Sequence, residues 1–189
     1  MTIKLTLQFD IQSHWHIGSG NEGGAYADAL ALKDEQGLPY IPGRSVKGLL
    51  REAMTLACEN QWFEDDKLTH LFGEEGNNAF TQGKISVSNA SFSAAEKVYF
   101  GQQKGAKKHL YQVVHSTAIE HTTGVAKNTS LRSLEVVIPL TLSAQVMVNG
   151  TKEDAQAIME VLPLITHLGA KRHRGLGQVF VTASTEGAN

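Results

Sequence analysis

Residues 2–12, TIKLTLQFDIQ, alternate without a break: Ile3, Leu5, Leu7, Phe9 and Ile11 fall on one side, Lys4, Thr6, Gln8 and Asp10 on the other. A period of two belongs to a β-strand with one dry and one wet face. A chain that begins this way has to build a sheet and cover one side of it with something else. The rest of the sequence supplies both the remaining strands and the cover.

Val46, Leu49, Leu50, Ala53, Met54 and Ala57 recur at helical spacing, which predicts a helix over 45–59 with Ser45 at its N-cap. A second helix is predicted over 152–168. Its buried stripe is Ala155, Ile158, Met159, Leu162 and Ile165, Thr151 and Asp154 form a capping box, Pro163 kinks it and Gly169 closes it. KISVSNASF, LEVVIPLTLSAQVMV and residues 177–183 read as strands, with Pro139 marking a break, a bulge or an edge. A short helix is predicted near Leu68–Phe72 and a short strand around Ala29–Leu32. Residues 97–132 are long, polar and weakly periodic, which suggests a functional protrusion. The resulting order is the βαββαβ of an α+β, ferredoxin-like fold, one domain over 1–189 with an insertion at about 97–132.

Composition then narrows the function classes. With 17 Lys+Arg against 19 Asp+Glu the chain is not a uniformly basic nucleic-acid binder, although a local basic groove is compatible with that balance. Apolar residues make up 41% of it, enough for a core. Cys58 is the only cysteine, no run is long and apolar enough to span a bilayer, and the N-terminus lacks an apolar signal core. The expectation is a soluble protein of a reducing, cytoplasmic setting with no membrane partner.

Three basic clusters stand out. GAKRHRGLGQV places Lys171, Arg172, His173 and Arg174 between glycines, including Gly175, where the backbone comes close to a partner and offers amides to an anion. An ordinary solvated turn fits the same residues. Arg44, Lys47 and Arg51 form a stripe beside the apolar face of the first helix, just after a Pro-Gly pair. Cations in a first helical turn oppose the dipole, so a phosphate chain explains them better than stability does. Lys104, Lys107, Lys108 and His109 form the third cluster, which fits a solvated loop better than a direct contact.

Together these segments resemble the RAMP superfamily of CRISPR-associated proteins, and most of all the backbone subunits that line guide RNA in type III effector complexes. HIGSGNEGGAYADALALKDEQGLPYIPGRSVKGLLR is similar to the family's His-Ile-Gly segment, Asp-containing loop and Pro-Gly-led helix. AIEHTTGVAKNTSLRSLEVVIP resembles its thumb, and GAKRHRGLGQV its carboxy-terminal glycine loop. Arg44 stands where the family has a serine, Val46 where it has a leucine, and Glu120–His121 where the thumb usually has Asp–Arg. The resemblance implies a modified RNA-recognition fold in which His16, Gly18, Arg44, Ser45, Lys47, Arg51 and the loop residues hold guide-RNA phosphates. It also implies that Thr123 and Lys127 belong to a thumb placed between guide and complementary target RNA. Other effector subunits, and further copies of the chain itself, are the implied protein partners.

The resemblance further implies a catalytic carboxylate, and Asp28 occupies its place, six residues before Asp34. A carboxylate there would hold Mg²⁺ or another divalent cation for RNA cleavage. An Asp that caps a turn fits the same position, and a silent RNA-holding scaffold is the alternative function. His14 and His16 raise another, a metal-independent guide-processing ribonuclease with histidine as general acid or base.

Overall fold

The structure, a computed structural model, describes residues 1–74, 81–103, 105–128 and 130–185. Strand β1 (Thr2–Ile11) takes up the alternating run. Helix α1 (Gly43–Glu59) and helix α2 (Asp65–Phe72) follow, then two-residue strands β2 (Gly73–Glu74) and β3 (Thr81–Gln82), and β4 (Ile85–Val87). Next are α3 (Ala94–Gln102), β5 (Tyr111–Ser116), β6 (Arg132–Val137), β7 (Leu140–Asn149), α4 (Lys152–Val161) and β8 (Val179–Thr185).

Four strands form one antiparallel sheet in the order β4-β7-β1-β8, so β1 lies inside with β7 and β8 on its two sides. The register pairs Phe9 with Leu142 and Val181, and Leu7 with Ala144 and Ala183. Because side chains alternate, this puts Leu5, Leu7, Phe9 and Ile11 on the same face as Leu142, Ala144, Val146 and Val148. All of these are buried, with Leu5, Leu7 and Phe9 wholly so. Helices α1 and α4 share that core through Val46, Leu50, Met54, Ile158 and Val161. Each such side chain is worth about 1.5–3 kcal/mol when fully withdrawn from water.

Several boundaries differ from the sequence expectation, each for a local reason. Helix α1 begins at Gly43, and Pro42 is its cap. The Gly43 N–H donates to Asn89 Oδ1 at 2.8 Å, so a side chain from another segment does the capping and Ser45 lies within the first turn. A Cβ on Gly43 would strike the Val87 carbonyl, which is why glycine follows the proline. Helix α4 keeps the Thr151–Asp154 capping box but stops at Val161. Pro163 sits in a following 3-10 turn, Leu162–Leu164, so Gly169 is not its C-cap. The strand expected in KISVSNASF is confined to β4, and the short strand near Ala29 consists of isolated bridges at Ala29 and Ala31.

Pro139 separates β6 from β7, which join different sheets. The 97–132 segment is more ordered than its sequence suggests. It includes the end of α3, capped by a Ser93–Glu96 box, and β5, which pairs with β6 as a separate antiparallel ribbon. That ribbon carries an exposed tip around residues 117–128.

Candidate nucleic-acid interface

The glycine loop is clamped at both ends onto the segment that follows β1. Gly169 has φ 75°, and a Cβ there would run into the His16 carbonyl. The Ala170 N–H donates to that same carbonyl at 2.8 Å. Gly177 has φ 74°, donates to the His14 carbonyl at 2.8 Å, and would strike the Leu168 carbonyl if it carried a Cβ. Between the clamps Lys171 adopts φ 57°, Arg172–Arg174 make a 3-10 turn, and Gly175 at φ 78° turns in open space. Left-handed backbone at a lysine costs energy that the clamped ends have to hold. Lys171, His173 and Arg174 are exposed, without a side-chain partner among the described residues.

Arg172 is different. Its Nε–H donates to the Gly169 carbonyl at 3.2 Å and its Nη1 to both oxygens of Glu52 on α1, at 3.2 and 3.1 Å. This pair closes one side of a groove of about 500 Å³ lined by His16, Gly18, Ser45, Gly48, Glu52 and Gly169, among others. The structure therefore brings the His-Ile-Gly segment, the start of α1 and the glycine loop around one concavity. Arg44 and Arg51 are exposed and Lys47 is half-buried, on the helix stripe that flanks Gly48. The helix N-terminus itself offers less to an anion than expected, because Asn89 already occupies the Gly43 amide.

His16 is 4% exposed, and its Nδ1 lies 2.7 Å from the Glu135 carbonyl oxygen. A carbonyl only accepts, so Nδ1 carries the proton and Nε2 is the nitrogen turned toward Gly18 and the groove. His14 takes a separate partner, Gln112 Oε1 on β5, at 3.1 Å.

Asp28 sits beside the base of the β5–β6 ribbon. Its Oδ2 accepts the Ser133 N–H at 2.6 Å, and its own N–H donates to the Ser133 carbonyl at 3.0 Å. Hydrogen bonding of the carboxyl to Ser133, its backbone N–H first and then its side chain, holds the exposed group below its ordinary range, helped by Arg132 and His115. Ser133 faces His115 across the ribbon, so the histidine shares a face with the serine that holds Asp28. Among the described residues no three His, Cys, Asp or Glu side chains converge to hold a metal ion. One ionised carboxylate fits a Mg²⁺ that keeps most of its waters and takes phosphate as a further ligand.

Buried beneath this region, Glu135 of β6 accepts the Ala31 N–H at 2.9 Å and Lys33 Nζ at 2.9 Å. Lys33 Nζ lies 4.1 Å from the Tyr111 ring centroid, and the Tyr111 hydroxyl donates to the Gly37 carbonyl. Burial first, then Glu135 and Asp34, push the Tyr111 hydroxyl well above its usual value. This network fixes the Asp28 loop against the ribbon. At the ribbon tip Thr123 donates to Glu120 at 3.1 Å and Lys127 is exposed. Of the third basic cluster, Lys107 is used internally, donating to the Gln36 carbonyl at 2.7 Å. Lys108 and His109 are exposed, and Lys104 lies outside the described residues.

Sequence reasoning missed Glu52, Glu135 and His115. Glu135 sits inside the apolar run LEVVIP, and a lone acid there is a readable sign of a buried partner. Glu52 and His115 carry no such sign, because only the fold sets them beside Arg172 and Asp28.

The RAMP superfamily model matches residues 8–180, and the chain belongs to that family. It is 25% identical over 195 residues to the CRISPR system Cms endoribonuclease Csm3 of Streptococcus thermophilus, covering 94% of this chain and 86% of that protein. It is likewise 25% identical over 199 residues to the Csm3 of Enterococcus italicus, covering 97% and 92%. Among solved structures it is similar to a chain of the Type III-B Cmr-beta bound to cognate target RNA, with TM-score 0.73, 14% identity and coverage of 95% and 96%. The apo state of the same assembly gives TM-score 0.70 at 13% identity, covering 97% and 98%. At such identities the structural likeness speaks to the fold alone.

Proposed function

We propose that the protein is a guide-RNA-binding backbone subunit of a type III CRISPR effector complex, and that it cleaves complementary target RNA at Asp28. The observation that carries this reading is that His16–Gly18, the start of α1 and the clamped loop surround one groove, with the basic side chains Arg44, Lys47, Arg51, Lys171 and Arg174 on the segments that flank it. Such a groove grips a sugar-phosphate chain by charge, leaving sequence to guide–target pairing. The similarity to two Csm3 endoribonucleases along nearly the whole chain supports the complex and the reaction. The sheet order β4-β7-β1-β8, with α1 after β1 and α4 before β8, supports a ferredoxin-like reading of the core. The β5–β6 ribbon is the thumb, and Thr123 and Lys127 at its tip meet the guide–target duplex.

Asp28 is ionised at neutral pH and exposed beside that ribbon. A divalent cation bound there would neutralise charge on the scissile phosphate. The protein's own part is to present one rigid carboxylate, fixed by the Ser133 N–H, where the thumb interrupts the duplex. The buried His16, already tied to Glu135, serves the groove wall in this reading and not acid–base chemistry.

The test uses the complex assembled with its guide and partner subunits, given Mg²⁺ and a complementary RNA. Asp28→Ala binds target as the parent does and leaves it uncut at this subunit's positions. Equal cutting by both proteins would remove Asp28 from the chemistry and leave an RNA-holding scaffold.

A further inference from the structure

Glu52 is an unexpected neighbour for a phosphate groove. It lies one helical turn beyond Gly48 on the groove side of α1, and it is 65% exposed. An uncompensated carboxylate there would repel the backbone it faces. It is compensated: Arg172 Nη1 reaches both of its oxygens while Nε is fixed to the Gly169 carbonyl. That leaves the two N–H groups of Arg172 Nη2 without a partner among the described residues, and leaves lone pairs of the Glu52 carboxylate open to solvent. Gly48 carries no side chain, and a Cβ built there would meet nothing within 4 Å, so the wall between them stays clear.

The pair thus presents a fixed donor edge beside a fixed acceptor. On a nucleic-acid backbone the phosphates only accept. The one backbone group able to donate at neutral pH is the ribose 2′-hydroxyl, which DNA lacks. Carboxylates take ribose hydroxyls in the same way in dinucleotide-binding folds. We propose that the Arg172–Glu52 pair reads one ribonucleotide, Arg172 holding a phosphate and Glu52 accepting from a 2′-hydroxyl, so that the groove selects RNA over DNA. The inference rests on the groove being the guide-RNA site.

The test measures binding of the purified full chain to a labelled single-stranded RNA, to DNA of the same sequence, and to the 2′-O-methylated RNA. The parent favours the RNA over both analogues. Glu52→Ala loses about tenfold in RNA affinity, the order expected for a hydrogen bond to a charged group, while DNA affinity stays within about twofold. Arg172→Ala weakens RNA and DNA together. Glu52 is exposed on the helix surface, so its replacement leaves the melting temperature near the parent's. An unchanged RNA-to-DNA ratio in Glu52→Ala, or tighter binding of both, overturns the proposal and makes Glu52 a plain counter-ion. Failure of the groove reading looks different: Arg174→Ala would then leave RNA affinity untouched.

Discussion

Asp154 shows how much a single buried carboxylate carries in this protein. It is 2% exposed. Its Oδ1 takes Lys67 Nζ at 2.7 Å, and its Oδ2 takes the Thr151 N–H at 2.9 Å and His70 Nε2 at 3.3 Å. Burial alone would raise its pKa, but these partners outweigh burial and bring it from 3.8 to about 2. A carboxyl whose pKa falls on folding stabilises the protein fully above its unfolded value, and that contribution is lost as pH drops through the folded one. The parent therefore sheds roughly 2 kcal/mol between about pH 4 and pH 2, on the scale of 1.36 kcal/mol per pK unit. Urea denaturation at several pH values checks this: Asp154→Asn is less stable at neutral pH and lacks that acid-range slope. An equal slope in both would assign the acid sensitivity elsewhere. Asp28 is also held low by Ser133, but its carboxyl is exposed to solvent, so no comparable acid-range loss of stability is assigned to it.

At the scale of elements, the glycine loop divides into clamped and free positions. Gly177→Ala must relieve both a left-handed backbone and a collision with the Leu168 carbonyl, whereas Gly175→Ala meets only the backbone cost of about 1–2 kcal/mol. Thermal melts should show a clearly larger drop for Gly177→Ala, and equal drops would mean that the loop ends are not clamped. The loop's glycines and charges are legible in the sequence, but which glycine is indispensable depends on carbonyls of Leu168 and His16. The same holds for the other elements. The period-two run of β1 and the stripe of α1 predict their own burial, because neighbours in the chain share the pattern. Strand β6 is legible as the β-rich start of LEVVIPLTLSAQVMV, whereas β5 and the ribbon tip escape such reading, since Val114, Ile119 and Val125 stay exposed and no dry face imposes a period there. Asp28 is nameable by resemblance, but its Ser133 and His115 neighbours come from residues about a hundred positions away.

At the scale of the whole molecule, a formal net charge of −2 coexists with basic segments around the groove, because the one acid that lines it, Glu52, is paired with Arg172 and several others lie at a distance. Glu59, Glu64 and Asp66 lie at or beyond the far end of α1 from Arg44 and Lys47. Binding governed by the groove should weaken with salt, at a slope of about −0.7 per phosphate neutralised on a single strand. Arg174→Ala lowers that slope by roughly one such contact, and Lys108→Ala, outside the groove, leaves it unchanged. Anisotropy titrations across salt concentrations measure both.

The most direct measurement is photo-crosslinking of a thiouridine-substituted guide RNA in the assembled complex, with the crosslinked residues located by mass spectrometry. Crosslinks should fall on residues 16–18, 44–51 and 169–177, the three segments that the fold gathers round one groove. Crosslinks confined to the exposed Phe180 of β8 and its surroundings, or to the cleft lined by Trp62, Lys67, His70 and Asp154, would contradict the account.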